Sequence, residues 1–303
     1  MKDKNPMLLV GDNPFHGISH LSQERSRARG DAIGEIEHAA DLVTISLENG
    51  ANGFMFSVTE TTLSILRAMC RREGSKNLKL YAIVPYTYDY VRLATQTGGI
   101  SGLARKIAKQ IVLSANMKAV GLGMKGLIKM DPVALLKAYL FYEISRIKSS
   151  TNGQASLDSV LLHEIITEMI LALDLDWLSR SYIQFMLKLG IKPGFETRNF
   201  AYLVEKFSAW GIDFGKIIVA APFNKVGFQM NPSKQECEKA LKDLPASCVI
   251  AISILAAGYL KPPEAMQYVR NLPNLKGVVA GVSKEQHARE TFKLLNEKMT
   301  STH

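Results

Sequence analysis

The 303-residue sequence predicts an α/β protein: a single (β/α)8 TIM barrel over residues 1–303, with a helical insertion after the third strand. Three observations carry this expectation. Eight short apolar runs alternate with amphipathic stretches, the pattern of parallel strands each followed by a helix. Several of the runs are apolar throughout, as strands covered on both faces are. The length exceeds the roughly 250 residues of a bare barrel, and no composition break or linker divides the chain.

The elements follow in order. Strand 7–11 leads to a helix over 31–50, and strand 53–57 to a helix over 60–73; Gly50 and Gly74 mark the helix ends. Strand 78–85 is followed by about 70 residues before the next strand. That excess defines an insertion over 87–157 of two or three helices: 101–116, then 117–129 where there are three, and 131–149. Asp131-Pro132 starts the last of these, since Pro suits a first helical turn. Strand 159–163 precedes one long helix over 167–189. Strands 192–196, 216–222, 247–255 and 277–282 then alternate with helices over 199–211, 233–243, 262–271 and 284–298. Ser233 with Glu236, and Ser283 with Gln286, have capping-box spacing.

The net charge of +9 is unevenly spread: residues 101–150 hold nine Lys and Arg against two acidic side chains. No nucleic-acid-binding module accompanies them, so the expected partners are a small anionic or phosphorylated molecule and no nucleic acid. Ile100, Leu103, Ile107 and Ile111 recur at helical steps between Arg105, Lys106 and Lys109. Such a segment suits a lid over the barrel mouth, or a helix in peripheral contact with an anionic membrane through 101–150. Gly121 to Gly126 match GxGxxG but lie inside this helical segment, not after a strand. Three widely separated cysteines and a longest uncharged apolar run of 12 residues point to a cytoplasmic protein without a disulfide framework or membrane span. The few apolar residues near the start do not make a signal peptide.

Barrel chemistry sits on the loops after the strands. There the chain supplies Asp12, Asn13 and His16 after strand one, and Tyr86 after strand three. His163 and Glu164 end strand four, Glu196 and Arg198 end strand five, and Asn224 follows strand six. His163, His16, Glu196 and Tyr86 are the candidate proton carriers; Asp12, Asn13, Arg198 and Asn224 are candidate substrate ligands. Arg198 suits a carboxylate or phosphate, or else pairs structurally with Glu196. Glu164 alternates with His163 and is expected to face the helices. A metal held by His16, His163 and a carboxylate lacks HxH or HExxH spacing.

The last third adds a family signal. Ser253-Ile-Leu-Ala-Ala-Gly258-Tyr-Leu resembles the strand-seven segment of aldo-keto reductases. Gly281-Val-Ser283-Lys284 with Glu290 resembles their strand-eight signature, and Leu161-Leu-His163 is similar to the strand-four segment carrying their active-site histidine. The resemblance implies NADP, with Gly281, Ser283, Lys284 and Glu290 at its adenosine-phosphate end. Ser253, Leu255, Ala257 and Gly258 would line the pyrophosphate, and Phe223 would stack on nicotinamide. The family's strand-two Tyr and strand-three Lys are not in place, and Thr291 stands where the family has Asn.

Three functions follow. One is an NADP-dependent oxidoreductase with an altered site, in which His163 polarises a carbonyl and Tyr86 replaces the missing acid. The second is a nicotinamide-free lyase, isomerase or hydrolase. There Glu196 or His16 is the base, His163 the acid, and Arg198 with Ser283 the anion site. The third is a non-catalytic barrel that binds a membrane or partner through the basic insertion.

Overall fold

The structure, a computed structural model, describes residues 6–16, 32–72, 78–85 and 131–300. Eight parallel strands close into one barrel in chain order, the last pairing with the first. The strands are β1 (Met7–Gly11), β2 (Gly53–Ser57), β3 (Lys79–Val84), β4 (Ser156–Leu162), β5 (Lys192–Glu196), β6 (Ile218–Pro222), β7 (Val249–Ile252) and β8 (Leu275–Gly281). The described helices are α1 (Ala32–Glu48), α2 (Glu60–Cys70), α3 (Pro132–Ser150), α4 (Glu164–Ala172), α5 (Asp176–Lys188), α6 (Phe200–Ala209), α7 (Lys234–Asp243), α8 (Pro262–Arg270) and α9 (Glu285–Thr300). The expected (β/α)8 barrel is the observed one.

Side chains alternate along each strand, and this builds two cores. Leu9, Met55, Tyr81, Ile83, Leu161, Ile218, Ala220, Ile250 and Ile252 fill the barrel interior. Val10, Phe56, Val160, Leu162, Phe195, Val219 and Val278 pack outward against the helices. At Gly194 a Cβ would lie 2.5 Å from Leu161 Cγ, so the interior of β5 has no room for a side chain one layer below Glu196. Leu162 registers with Phe195, which brings the ends of β4 and β5 side by side.

Three local expectations are corrected. The single helix over 167–189 is two, α4 and α5, with Asp174 between them at φ 50°. Its apolar pattern runs through the break, so periodicity alone did not reveal it. β7 stops at Ile252 because Ser253 turns left-handed at φ 52°. Ser233 caps α7 as expected, accepting the Glu236 N–H at 3.2 Å, but Gln286 donates to Glu290 at 2.8 Å rather than reaching back to Ser283.

The insertion expected over 87–157 is also redrawn at its C-terminal end. α3 packs in the outer layer against α2 and α5, and β4 already begins at Ser156. Residues 131–157 are therefore ordinary barrel structure. Asp131 caps α3 by accepting the N–H groups of Val133 and Ala134, with Pro132 in the first turn. Tyr86, the GxGxxG match and the basic stretch 101–130 lie outside the described residues, as does His20. No helix among the described residues is long and apolar enough to cross a membrane.

Candidate active site

The mouth is built from the strand ends. β1 hands over at Asp12 to a 3-10 turn, Asn13–His16, which folds His16 back toward Asp12. His16 Nε2 lies 3.0 Å from Asp12 Oδ2, and the same oxygen accepts the Ser57 N–H of β2 at 2.7 Å. Asp12 is buried, so its carboxylate is held between two strands, and His16 rests on it. Asn13, expected to bind substrate, is exposed at the start of the turn.

His163 follows β4 and is the cap of α4. Its Nδ1 accepts the Ile165 N–H at 3.3 Å, which assigns the ring proton of the neutral form to Nε2. Burial holds its pKa below the usual value, with Arg198 acting in the same direction and Glu164 against it. A neutral imidazole presenting Nε2–H is a hydrogen-bond donor, suited to polarising a carbonyl or returning a proton.

Glu196 ends β5 beside it and is only 7% exposed. Burial pushes its pKa up to about 7; Arg198 and the Glu164 backbone N–H pull it back, while the Glu164 and Asp12 carboxylates push it further up. Asp12 acts on it from the opposite side of the barrel, so these strand ends share one mouth. A carboxyl that titrates near neutrality exchanges a proton in either direction.

Arg198 lies over this pair. Its Nε is 2.5 Å from Glu164 Oε2 and its Nη2 is 3.6 Å from Glu196 Oε1. The Glu164 contact is an ion pair without hydrogen-bond alignment: Glu164 Oε2 and Arg198 Nη1 are both buried with no hydrogen-bond partner. Glu164, expected to face the helices, thus joins the mouth. It opens α4, where the chain leaves strand geometry and strict alternation ends.

Glu168, one turn along α4, received no attention in the sequence. Its Oε1 accepts the Thr197 hydroxyl at 2.7 Å and the Arg198 N–H at 3.0 Å, and its Oε2 accepts the Asn199 side-chain amide at 2.8 Å. This one carboxylate holds the loop that carries Arg198. The detectable signal was its spacing of four from Glu164 on a helix starting at a strand end.

Other candidates lie elsewhere. Asn224 is fully buried and its amide bonds both ways to Phe228, donating to its carbonyl and accepting its N–H at 2.8 Å each. Its side-chain amide, expected to bind substrate, is engaged in holding its own loop. Phe223 is fully buried in the outer core, edge-to-face with Phe200 at 5.1 Å, so it cannot stack on a nicotinamide ring. Among the described residues no group of three or more His, Cys, Asp or Glu is placed to hold a metal ion. A separate cavity of about 310 Å³ opens at the other end of the barrel, beside Tyr81, Asp158, Lys192 and Lys276, away from every strand-end candidate.

The proposed dinucleotide corner is mixed. Ser253, Ala256, Ala257 and Gly258 all have positive φ, between 46° and 89°, which makes a sharp turn after β7. Leu255 and Ala257 are half-buried in it, and Gly258 is exposed. Gly281, Ser283 and Lys284 are exposed at the entry to α9, and Glu290 is exposed along it. Exposed Ser and Lys beside a helix N-terminus suit a phosphate. The phosphate end of NADP therefore fits these residues; the nicotinamide end, resting on Phe223, does not.

Two solved structures, each described as a "putative aldo-keto reductase" from Pseudomonas aeruginosa, superpose on this chain with TM-scores of 0.57 and 0.56. Each is 12% identical to it; the alignments cover 96% of this chain and 90% and 89% of theirs. The likeness is one of fold. No family model and no curated protein matches the sequence. The barrel's architecture is thus like that of these two structures, and a likeness of architecture does not carry a chemistry with it.

Proposed function

We propose that this protein is a small-molecule enzyme working by general acid–base chemistry, with Glu196 as the proton carrier. The observation that carries this is the Glu196 carboxyl itself: buried at the end of β5, with its pKa pushed up to about 7, on the strand that pairs with β4, which His163 follows. Titratable groups poised near neutrality in a barrel mouth are the expected equipment for proton transfer. His163 donates its Nε2–H to the oxygen on which charge develops. Arg198 Nη1, buried without a hydrogen-bond partner, receives a carboxylate or carbonyl oxygen, and Glu164 Oε2, which is ion-paired with Arg198 Nε at 2.5 Å, accepts the hydrogen bond of a hydroxyl. The pair fits a small hydroxy- or oxo-acid. The Asp12–His16 pair stands opposite as a second base. The reaction class is isomerisation, lyase or hydrolytic chemistry without nicotinamide.

A second reading, NADP-dependent reduction of a carbonyl, is favoured by the barrel's likeness to the two reductase-described structures and by exposed Ser283 and Lys284 at the start of α9. When bound, the dinucleotide would supply hydride. His163 would still hold the carbonyl oxygen, and Glu196 would take the place of the missing phenol as acid. The buried Phe223 weighs against this reading.

One experiment separates them. The protein is incubated in D2O with a panel of 2-hydroxy and 2-oxo acids and their phosphates, with and without NADPH, and followed by proton NMR. Deuterium uptake next to the carbonyl without NADPH, abolished in Glu196→Gln, supports acid–base chemistry. Turnover only with NADPH establishes the reductase, and no exchange or turnover with any member of the panel rejects both.

A further inference from the structure

The charge count of the described mouth constrains how it accepts its ligand. Three carboxylates face it: Asp12 after β1, Glu164 at the start of α4 and Glu196 at the end of β5. Against them stand one guanidinium, Arg198, and two imidazoles. His16 is paired with Asp12, and burial favours the neutral form of His163. Arg198 already serves two of the carboxylates, at 2.5 Å and 3.6 Å, and its Nη1 is buried without a hydrogen-bond partner. A further negative charge there meets like charge in a partly buried site, where repulsion is less screened than in bulk water.

Among the described residues the carboxylates thus outnumber the cations, and the geometry selects the one that gives way. Glu164 has the close contact with Arg198, and Asp12 has His16 and the Ser57 N–H. Glu196 has the longer contact to the guanidinium and is nine-tenths buried. We infer that a carboxylate bound at Arg198 Nη1 enters together with one proton, which Glu196 takes up. Acetate is thereby favoured over its neutral isostere acetamide at acidic pH, and its affinity falls as pH rises through neutrality. The inference rests on the acid–base reading and adds to it: it makes the substrate an anion, and it makes binding itself deliver the proton that Glu196 passes on.

The test uses the full-length protein carrying 13C-labelled glutamate carboxyls, assigned with Glu196→Gln, and follows the Glu196 titration by NMR. Saturating acetate should raise its midpoint by about one unit, equivalent to roughly tenfold tighter acetate binding below the midpoint than above it, and acetamide should leave it unmoved. Arg198→Met should remove the acetate effect. In Glu196→Gln, acetate affinity should lose its dependence on pH between 6 and 8. An unmoved midpoint, an acetate effect that survives Arg198→Met, or a pH dependence that survives Glu196→Gln would overturn the coupling. In those cases a Glu196 still titrating near neutrality leaves the acid–base reading standing. A Glu196 that titrates in the ordinary carboxylate range removes both.

Discussion

Glu168 Oε1 receives the Thr197 hydroxyl at 2.7 Å, and this bond ties α4 to the loop after β5. Thr197 is fully buried, so its hydroxyl needs that acceptor. The Arg198 and Asn199 N–H groups point at the same oxygen, at 3.0 and 3.4 Å. The backbone that carries the mouth guanidinium is therefore held by a carboxylate on the neighbouring helix.

Removing that carboxylate should cost stability and loosen the anion site together. Glu168→Ala leaves the buried Thr197 hydroxyl, the Arg198 N–H and the Asn199 side-chain amide without their acceptor, a loss of roughly 2–4 kcal/mol at about 1.5–3 kcal/mol for a bond to a charged group, less what water recovers. Urea unfolding measures it. Glu168→Gln keeps an acceptor oxygen and should recover part of the loss. Equal stability of Ala and wild type would show that the loop is held by something else.

The Glu196 carboxyl gives stability a defined pH dependence. The folded chain keeps its proton up to about pH 7, whereas an ordinary glutamate releases it near 4.5. Between those values the folded state binds more protons, so this contribution is complete below about 4.5 and lost as pH rises to 7. Glu196→Gln, neutral at all pH, should abolish that fall. The difference between the two proteins should therefore grow across this window to something on the order of 3 kcal/mol in favour of Gln. Parallel stability curves would place the Glu196 pKa at its ordinary value.

Phe223 should behave as a core residue. Phe223→Ala is expected to cost about 3–5 kcal/mol in denaturant unfolding, the usual price of emptying a buried aromatic site. Calorimetric affinity for NADPH, if any is measured, should be unchanged in the folded fraction. Weaker NADPH binding at unchanged stability would return Phe223 to a stacking role.

His163 should carry its ring proton on Nε2 and be less than half charged at pH 6.5, where a free imidazole is half charged, because burial lowers its pKa. Nitrogen chemical shifts report both. His163→Ala should lose the cap on α4, about 0.5–2 kcal/mol. With a substrate it should lower kcat more than it raises KM. A ring more than half charged at pH 6.5 would contradict the buried placement.

The residues themselves show why some of this was legible. His163 and Glu196 were found because a strand's two-residue period and a barrel's active end are both readable locally: a polar residue ending an apolar strand in a barrel faces the mouth. The same period was available for Phe223, which shares the outward face of β6 with Val219 and Ala221. The family resemblance pointed the other way, and the period was right. Asn224, one residue further, has left the strand, and no periodicity reports which partner an amide finds in a loop.

The sequence by itself determined the eightfold alternation, the closed barrel it implies and which side chains sit at strand ends, since all of these follow from patterns spanning a few residues. Only the tertiary structure decided that Arg198 is shared between Glu164 and Glu196, that Glu168 holds the loop beneath it, and that Asp12 bridges to β2 and acts on Glu196 from across the barrel. Those relationships join residues 30 or more positions apart in several cases, and depend on strand register and on how each helix starts. The raised Glu196 pKa is their consequence: it comes from burial and from charges brought close by barrel closure, which no local pattern in the chain encodes.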